Sequence, residues 1–230
     1  MSREEQDKWA LGSQQKYAKA DKAEKFHNEI VPVEIRQKKG PMIFDREEFP
    51  KPDTTLEGLA KLKTIYGSPI VTAGNAPGLD AGAAALIIMR KSKAEALGIP
   101  FLATIVSAAS GASEPRRMAE LPGFVIRKAL QRASLNIDDM EVIEINEAFA
   151  AVTLVSTKIL ADGDEKKWRE LLDRTNPNGG AIAIGHPVGA SGARILITMM
   201  YELKRKGGGY GVCGICGGLA QGDAVVIRVD

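Results

Sequence analysis

The sequence predicts a layered α/β fold, and three observations carry that prediction. From residue 83 onward, short apolar runs of strand length alternate with stretches of helical character. The 230 residues are 44% apolar, which is enough material for a substantial buried core. No short repeat or low-complexity tract points to a solenoid or a disordered chain.

The elements follow in order. Ser2 with Glu5 three residues on is a capping box, so a helix opens at once, carrying Trp9, Tyr17 and Ala18 inward. A second, polar helix is expected near Lys22–Phe26. Ile30–Ile35 alternates like a strand. Residues 40–53 hold Pro41, Pro50 and Pro52 and read as a long loop. Thr54 or Thr55 opens a short helix over Leu56–Leu62. Ile70–Thr72 reads as a short strand entering Ala73-Gly74-Asn75-Ala76-Pro77-Gly78.

Ala83–Met89 is apolar at every position and reads as a strand buried on both faces. Helices over Ser92–Leu97, Gly123–Ala133 and Glu147–Leu160 then alternate with strands over Phe101–Ser107 and Glu141–Ile145. Ala181–Ile184 reads as a short strand, and Ser191–Lys206 as an amphipathic helix. Tyr210–Cys213 and Ala224–Val229 close the chain as strands.

Composition excludes several functions. Basic residues number 31 and acidic ones 29, a net charge of +2, and no long basic block suggests nucleic acid or an anionic surface. Lys204, Arg205 and Lys206 suit the last turn of a helix. No apolar run reaches the roughly 18 residues of a membrane span. The polar, acidic N-terminus is unlike a signal peptide. Two cysteines rule out a disulfide framework and make a reducing cytoplasm the default location.

Three clusters hold residue types that do chemistry. Asn146-Glu147-Ala148-Phe149-Ala150 joins a buried strand to a helix, where α/β sheets bind ligands. Spacing alone favours Asn146 as that helix's cap. The second runs from Gly179 to Gly192 and contains Gly185-His186-Pro187. Its glycines and proline leave the imidazole of His186 little to pack against, whereas His27, in a charged helix, reads as structural.

The third is Cys213-Gly214-Ile215-Cys216-Gly217-Gly218. A redox pair usually sits at a helix N-terminus, and here a strand follows. Zinc needs about four ligands, and no second cysteine pair exists. Gly189-Ala190-Ser191-Gly192-Ala193 imitates a nucleophile elbow, but ends in alanine, and both histidines precede the serine.

Taken in this order, Ser2–Asp7, Val71–Gly78, Asn146–Ala150, Asn178–Arg194 and Cys216–Gly222 resemble the thiolase family over nearly the whole chain. The resemblance implies a layered thiolase-like fold: the C-terminal half plus part of the loop domain. Residues 1–79 then belong to the CoA-binding loop domain, 80–102 complete the N-terminal core half, and 103–230 form the C-terminal half. It implies acyl transfer between CoA thioesters through an acyl-cysteine, as Claisen condensation of acetyl-CoA or thiolysis of a 3-ketoacyl-CoA, with no permanently bound cofactor and no metal. His186 matches the histidine that helps deprotonate the nucleophile, and Cys216 the acid/base that moves the α-proton. Asn146 matches the residue holding the water of one oxyanion hole, and Gly218 a backbone donor of the other. Ala73, Gly74, Pro77 and Gly78 match the CoA-contacting loop.

The chemistry agrees with such roles. Enolate formation needs a base near the carbon and donors aimed at the oxygen. A thiol acting as base must be partly ionised, which a nearby histidine favours.

Two departures stand out. The family's nucleophilic cysteine lies before the position matched by Met1, so the expectation is a partner: an N-terminal thiolase half, in a higher oligomer. Pro77 replaces a usual serine and offers neither hydroxyl nor N–H to a pantetheine arm. The competing expectation is an inactive acyl-CoA-binding or scaffold protein, which would have no use for His186, Asn146 and Cys216 together.

Overall fold

The computed structural model describes all 230 residues, Met1–Asp230. Helix α1 (Arg3–Lys22) opens on the expected capping box: Ser2 Oγ accepts from the Glu5 N–H, and a Glu5 carboxylate oxygen accepts from the Ser2 N–H. Its buried stripe is largely polar: Gln6, Asp7, Ala10, Ser13, Gln14, Tyr17 and Ala20. No second helix forms near Lys22–Phe26, because Glu24 turns left-handed (φ 54°) and the Lys25 N–H folds back to the Ala20 carbonyl.

Strands β1 (Val33–Gln37) and β2 (Gly40–Phe44) form an antiparallel hairpin, so the expected loop over 40–53 begins with a strand. Gly40, at φ 117°, makes the turn, and Pro41 is tolerated because the ribbon has only edge strands. Helix α2 (Leu56–Ala60) is capped by Thr55, whose Oγ1 accepts from the Gly58 N–H. Ile70–Thr72 contributes only one bridge, Thr72 to Thr64.

Ala83–Met89 is not a strand. Extended backbone becomes a strand only when a neighbour takes its N–H and C=O groups, and no segment of this chain lies beside it as a ladder partner. Its apolar side chains face outward, with Ile87 91% and Ile88 69% exposed.

After α3 (Lys91–Ala96), the remaining chain builds one four-stranded mixed sheet. In chain order its elements are β3 (Thr104–Ala112), α4 (Leu121–Ala133), β4 (Met140–Ile145), α5 (Ala150–Leu160), α6 (Glu165–Arg174), α7 (Ala181–Ile184), α8 (Ser191–Lys206), β5 (Gly209–Gly217) and β6 (Gln221–Val229). The spatial order is β3-β6-β5-β4, antiparallel except for the parallel pair β4–β5. Pairing with β6 carries β3 on to Ala112, past the expected end at Ser107.

Two apolar layers cover the sheet. One holds Val125, Ile126 and Leu130 of α4, Val152 and Leu154 of α5, and Trp168 and Leu171 of α6 against Ile143, Val212 and Val226. The other seats Ile195, Met199 and Leu203 of α8 on Val142, Cys213 and Ile227. Helix α6 is an element that sequence periodicity did not mark. No helix is long and apolar enough to cross a membrane.

Ala181–Ile184 is a single helical turn, where a strand was expected. Gly185, at φ 91°, ends it, and the free Ile182 N–H points at the Glu147 carboxyl at 3.0 Å. Glu147 is a fully buried hub, also accepting from Trp9 Nε1 (2.9 Å), Ser13 Oγ (2.8 Å) and Asn176 Nδ2 (3.1 Å). It ties α1, α7 and the end of β4 together. Glu147→Ala strands four donors, each costing about 1–3 kcal/mol when buried and unpaired, so a loss of at least about 3 kcal/mol is expected in urea unfolding. An unchanged urea midpoint would show that water replaces the carboxyl without penalty.

Candidate active site

The tight turn between α7 and α8 places the histidine. A Cβ on Gly185 would stand 2.0 Å from Asp80 Oδ2, so only glycine allows that approach. The His186 N–H then donates to the Gly78 carbonyl at 3.0 Å, joining the Val71–Gly78 loop to the histidine turn.

Both ring nitrogens are held. Nδ1 lies 2.6 Å from Ser191 Oγ, and Nε2 lies 3.3 Å from Asn146 Nδ2. The amide nitrogen only donates, so Nε2 carries the lone pair and Nδ1–H donates to Ser191. Ser191 Oγ passes its own proton toward the Pro187 carbonyl at 3.4 Å. Burial first, and the Arg194 charge second, push His186 below its ordinary value, while Asp80 opposes them. At neutral pH the ring is therefore an unprotonated base at Nε2. Ser191 was read from sequence only as a failed nucleophile; its five-residue separation from His186 across a proline turn was the available signal.

Asn146 is not a helix cap. Helix α5 begins at Ala150, Phe149 occupies the cap position, and no side chain caps it. Asn146 is instead fully buried beyond the end of β4, its N–H donating to the Gly214 carbonyl at 3.0 Å. The Asn176 side chain brackets the preceding residue, accepting from the Ile145 N–H and donating to the Ile145 carbonyl. Asn146 Oδ1 is a buried acceptor with no protein donor, suited to accept a hydrogen bond from a bound water.

Because β4 and β5 run parallel, their C-terminal ends share one edge of the sheet, which sets Cys216 near Asn146. Cys216 makes no hydrogen bond to His186 or Asn146 and is 7% exposed. Burial pushes its thiol up to about 11. Burial thus works against the partly ionised thiol that the sequence reading expects of a base. Cys213 points to the opposite face, against α8, and burial lifts it to about 12. Three residues apart on one strand, the two thiols cannot share a ligand.

Gly218 opens a turn, Gly218–Ala220, with Gly218 and Leu219 exposed and Ala220 buried, in which Leu219 and Ala220 both adopt left-handed backbone (φ 58° and 54°). A Cβ at Gly218 would meet nothing within 4 Å, so its backbone is open to approach. The loop candidates divide. Ala73 and Gly74 line a cleft of about 300 Å³ together with Lys51, Thr55 and Leu62, whereas Pro77 and Gly78 lie outside it. Asn75, missed in the sequence reading, holds this loop: its side chain bonds Asp7 Oδ1, the Thr72 N–H and the Ile70 carbonyl, and its carbonyl accepts from Ala150 at the start of α5.

Known proteins share this arrangement of chain. The family model for the thiolase N-terminal domain matches residues 1–92, and that for the thiolase C-terminal domain matches residues 99–229. The acetyl-CoA acetyltransferase of Syntrophomonas wolfei is 45% identical over 231 residues, covering 99% of this chain and 56% of the relative. A beta-ketoadipyl-CoA thiolase of Acinetobacter baylyi is 46% identical over 232 residues, with the same coverage. The crystal structure of the Bacillus anthracis acetyl-CoA acetyltransferase superposes with a TM-score of 0.92 at 38% identity, over 100% of this chain and 57% of that one. Human mitochondrial 3-ketoacyl-CoA thiolase in complex with CoA gives 0.88 at 39% identity, over 100% and 55%. This chain thus spans just over half the length of the curated relatives it matches. With both family models aligned along it and a shared fold throughout, the chain belongs to the thiolase family.

Proposed function

We propose that these 230 residues carry the base-side half of a thiolase active site, and that an N-terminal thiolase half, acting as a separate chain, supplies the nucleophilic cysteine. The observation that carries this reading is the Asn146–His186–Ser191 constellation, which leaves an unprotonated Nε2 at the sheet's C-terminal edge. In this reading Nε2 takes the proton of the partner's thiol, and the thiolate attacks a CoA thioester to give an acyl-cysteine. Asn146 holds a water that, with the histidine, stabilises the enolate oxygen, and the Gly218 N–H serves the second oxyanion. Cys216, neutral at pH 7, fits the acid that returns a proton to the α-carbon on thiolysis; after giving up that proton, its thiolate is the base for condensation.

Residues 1–79 are assigned to the CoA-binding loop domain, 80–102 to the end of the N-terminal core half, and 103–230 to the C-terminal half. The Ala73–Gly74 cleft supports a pantetheine path, with Pro77 and Gly78 acting through loop shape. The substrates are CoA thioesters: two acetyl-CoA in condensation, or a 3-ketoacyl-CoA and free CoA in thiolysis. The assembly is a higher oligomer of both chains.

Reconstitution tests this. The purified chain alone should show no acetoacetyl-CoA cleavage, and adding an N-terminal thiolase half should restore it. Cleavage by the lone chain would refute the division of the site. No activity with any N-terminal half, despite tight CoA binding, would favour an inactive acyl-CoA-binding protein.

A further inference from the structure

Two links join β4 to the start of α8 on the face that α8 covers. The first is Asn146–His186–Ser191. The second lies directly behind it. Glu144 precedes Asn146 by two residues and so shares its face of the strand, and Arg194 follows Ser191 by three and so shares its side of the helix. Arg194 Nη1 stands 3.9 Å from Glu144 Oε2, and no other carboxyl lies within 4 Å of that guanidinium. Glu144 is fully buried, and neither of its oxygens has a hydrogen-bond partner.

A separation of 3.9 Å is too long for a hydrogen bond. A buried carboxylate with no donor is costly to keep ionised. Burial pushes Glu144 up to about 8, with Arg194 pulling down against it. The other groups facing Glu144 are Glu147 beyond β4, Glu29 after α1, Lys16 on α1 and Cys213 on β5. His186 faces Arg194 from α8 and Asp80 from the preceding loop, and Arg194 in turn faces Glu29 after α1 and Glu47 in the loop after β2.

We propose that Arg194 is a positioning residue for His186: a cation on the Ser191 side of α8, not tied by any hydrogen bond to the buried Glu144 below it, whose charge disfavours a proton on the imidazole and leaves Nε2 ready to accept one. Below about pH 8 Glu144 is neutral and does not offset Arg194, whose charge disfavours protonation of His186 against the opposing pull of Asp80. As pH rises through that value the carboxylate forms, offsets Arg194 and makes His186 a stronger base. Sequence periodicity cannot show this pair, since Glu144 occupies a core position of a strand otherwise made of apolar residues and one exposed glutamate.

The use of His186 as a base rests on the function proposed above, but the coupling does not, so the test is a titration and not an assay. The chain has two histidines, and exposed His27 serves as the internal reference. In imidazole NMR titrations, Arg194→Gln should raise the His186 midpoint by about 0.5–1 unit, and Arg194→Lys should leave it close to wild type. Glu144→Gln, mimicking the neutral acid, should not move it. No shift in Arg194→Gln, or an equal shift in Arg194→Lys, would overturn the proposal, as would a lowered midpoint in Glu144→Gln, which would reveal an ionised Glu144. Should Arg194→Gln not fold, Arg194→Met keeps the apolar stem and carries the same test. The titration result stands whether or not reconstitution succeeds.

Discussion

Cys216→Ala, in the chain reconstituted with an N-terminal half, is expected to slow carbon–carbon bond formation by about 10²–10⁴-fold while the partner's cysteine still acylates. The reason is that the two groups are held by different partners. Cys216 packs with the α4 side of β5 and makes no hydrogen bond to the imidazole, whereas His186 has both nitrogens engaged by Asn146 and Ser191. In the proposed mechanism the α-proton and the thiol proton are handled by different groups. His186→Ala is expected to impair acylation itself, because no other unprotonated base stands at that position. Labelled acetyl-CoA trapped on the partner's cysteine reads the difference. Equal loss of trapping in both variants would end this division of labour.

Amide hydrogen exchange over Ala83–Met89 is expected to be fast in the lone chain and strongly slowed in the complex. The segment forms no ladder with any strand of this chain, and Ile87, Ile88 and Met89 are exposed. Further along the chain Leu97, Ile99, Phe101, Leu102 and, on edge strand β3, Ile105 and Val106 are exposed as well. A surface of that kind marks an interface. The proposed partner would add its sheet to Ala83–Met89 and bury an obligate, largely apolar area above ~2,000 Å² in total. Slow exchange there in a monodisperse monomer would show that the chain closes its own sheet, and the separate-subunit reading would fall with it.

Local chemistry made much of the fold legible. The Ser2/Glu5 box, the Thr55 cap and the whole of α8 over Ser191–Lys206 stand where the sequence places them, because caps and helical stripes are written within a few residues. The same local view fails where a partner is distant. Asn146 looks like a cap until His186, 40 residues away, takes its side chain. The inner face of α1 is polar because it serves Asp7–Asn75 and Ser13–Glu147, contacts that span 68 and 134 residues. Ala181–Ile184 has the composition of a strand, yet Glu147 holds it as a helical turn.

By itself, then, the amino-acid sequence determined the alternation of strands and helices, the glycine turn around His186 and the family to which Asn146, His186 and Cys216 point. Only the tertiary structure decided which proton His186 carries, that Cys216 is a buried thiol, that Glu144 is buried under Arg194 and that Ala83–Met89 has no strand beside it. The first set depends on backbone preferences and patterns read within one or two turns of chain. The second depends on burial and on charges brought together from remote segments, and neither is defined until the chain has packed.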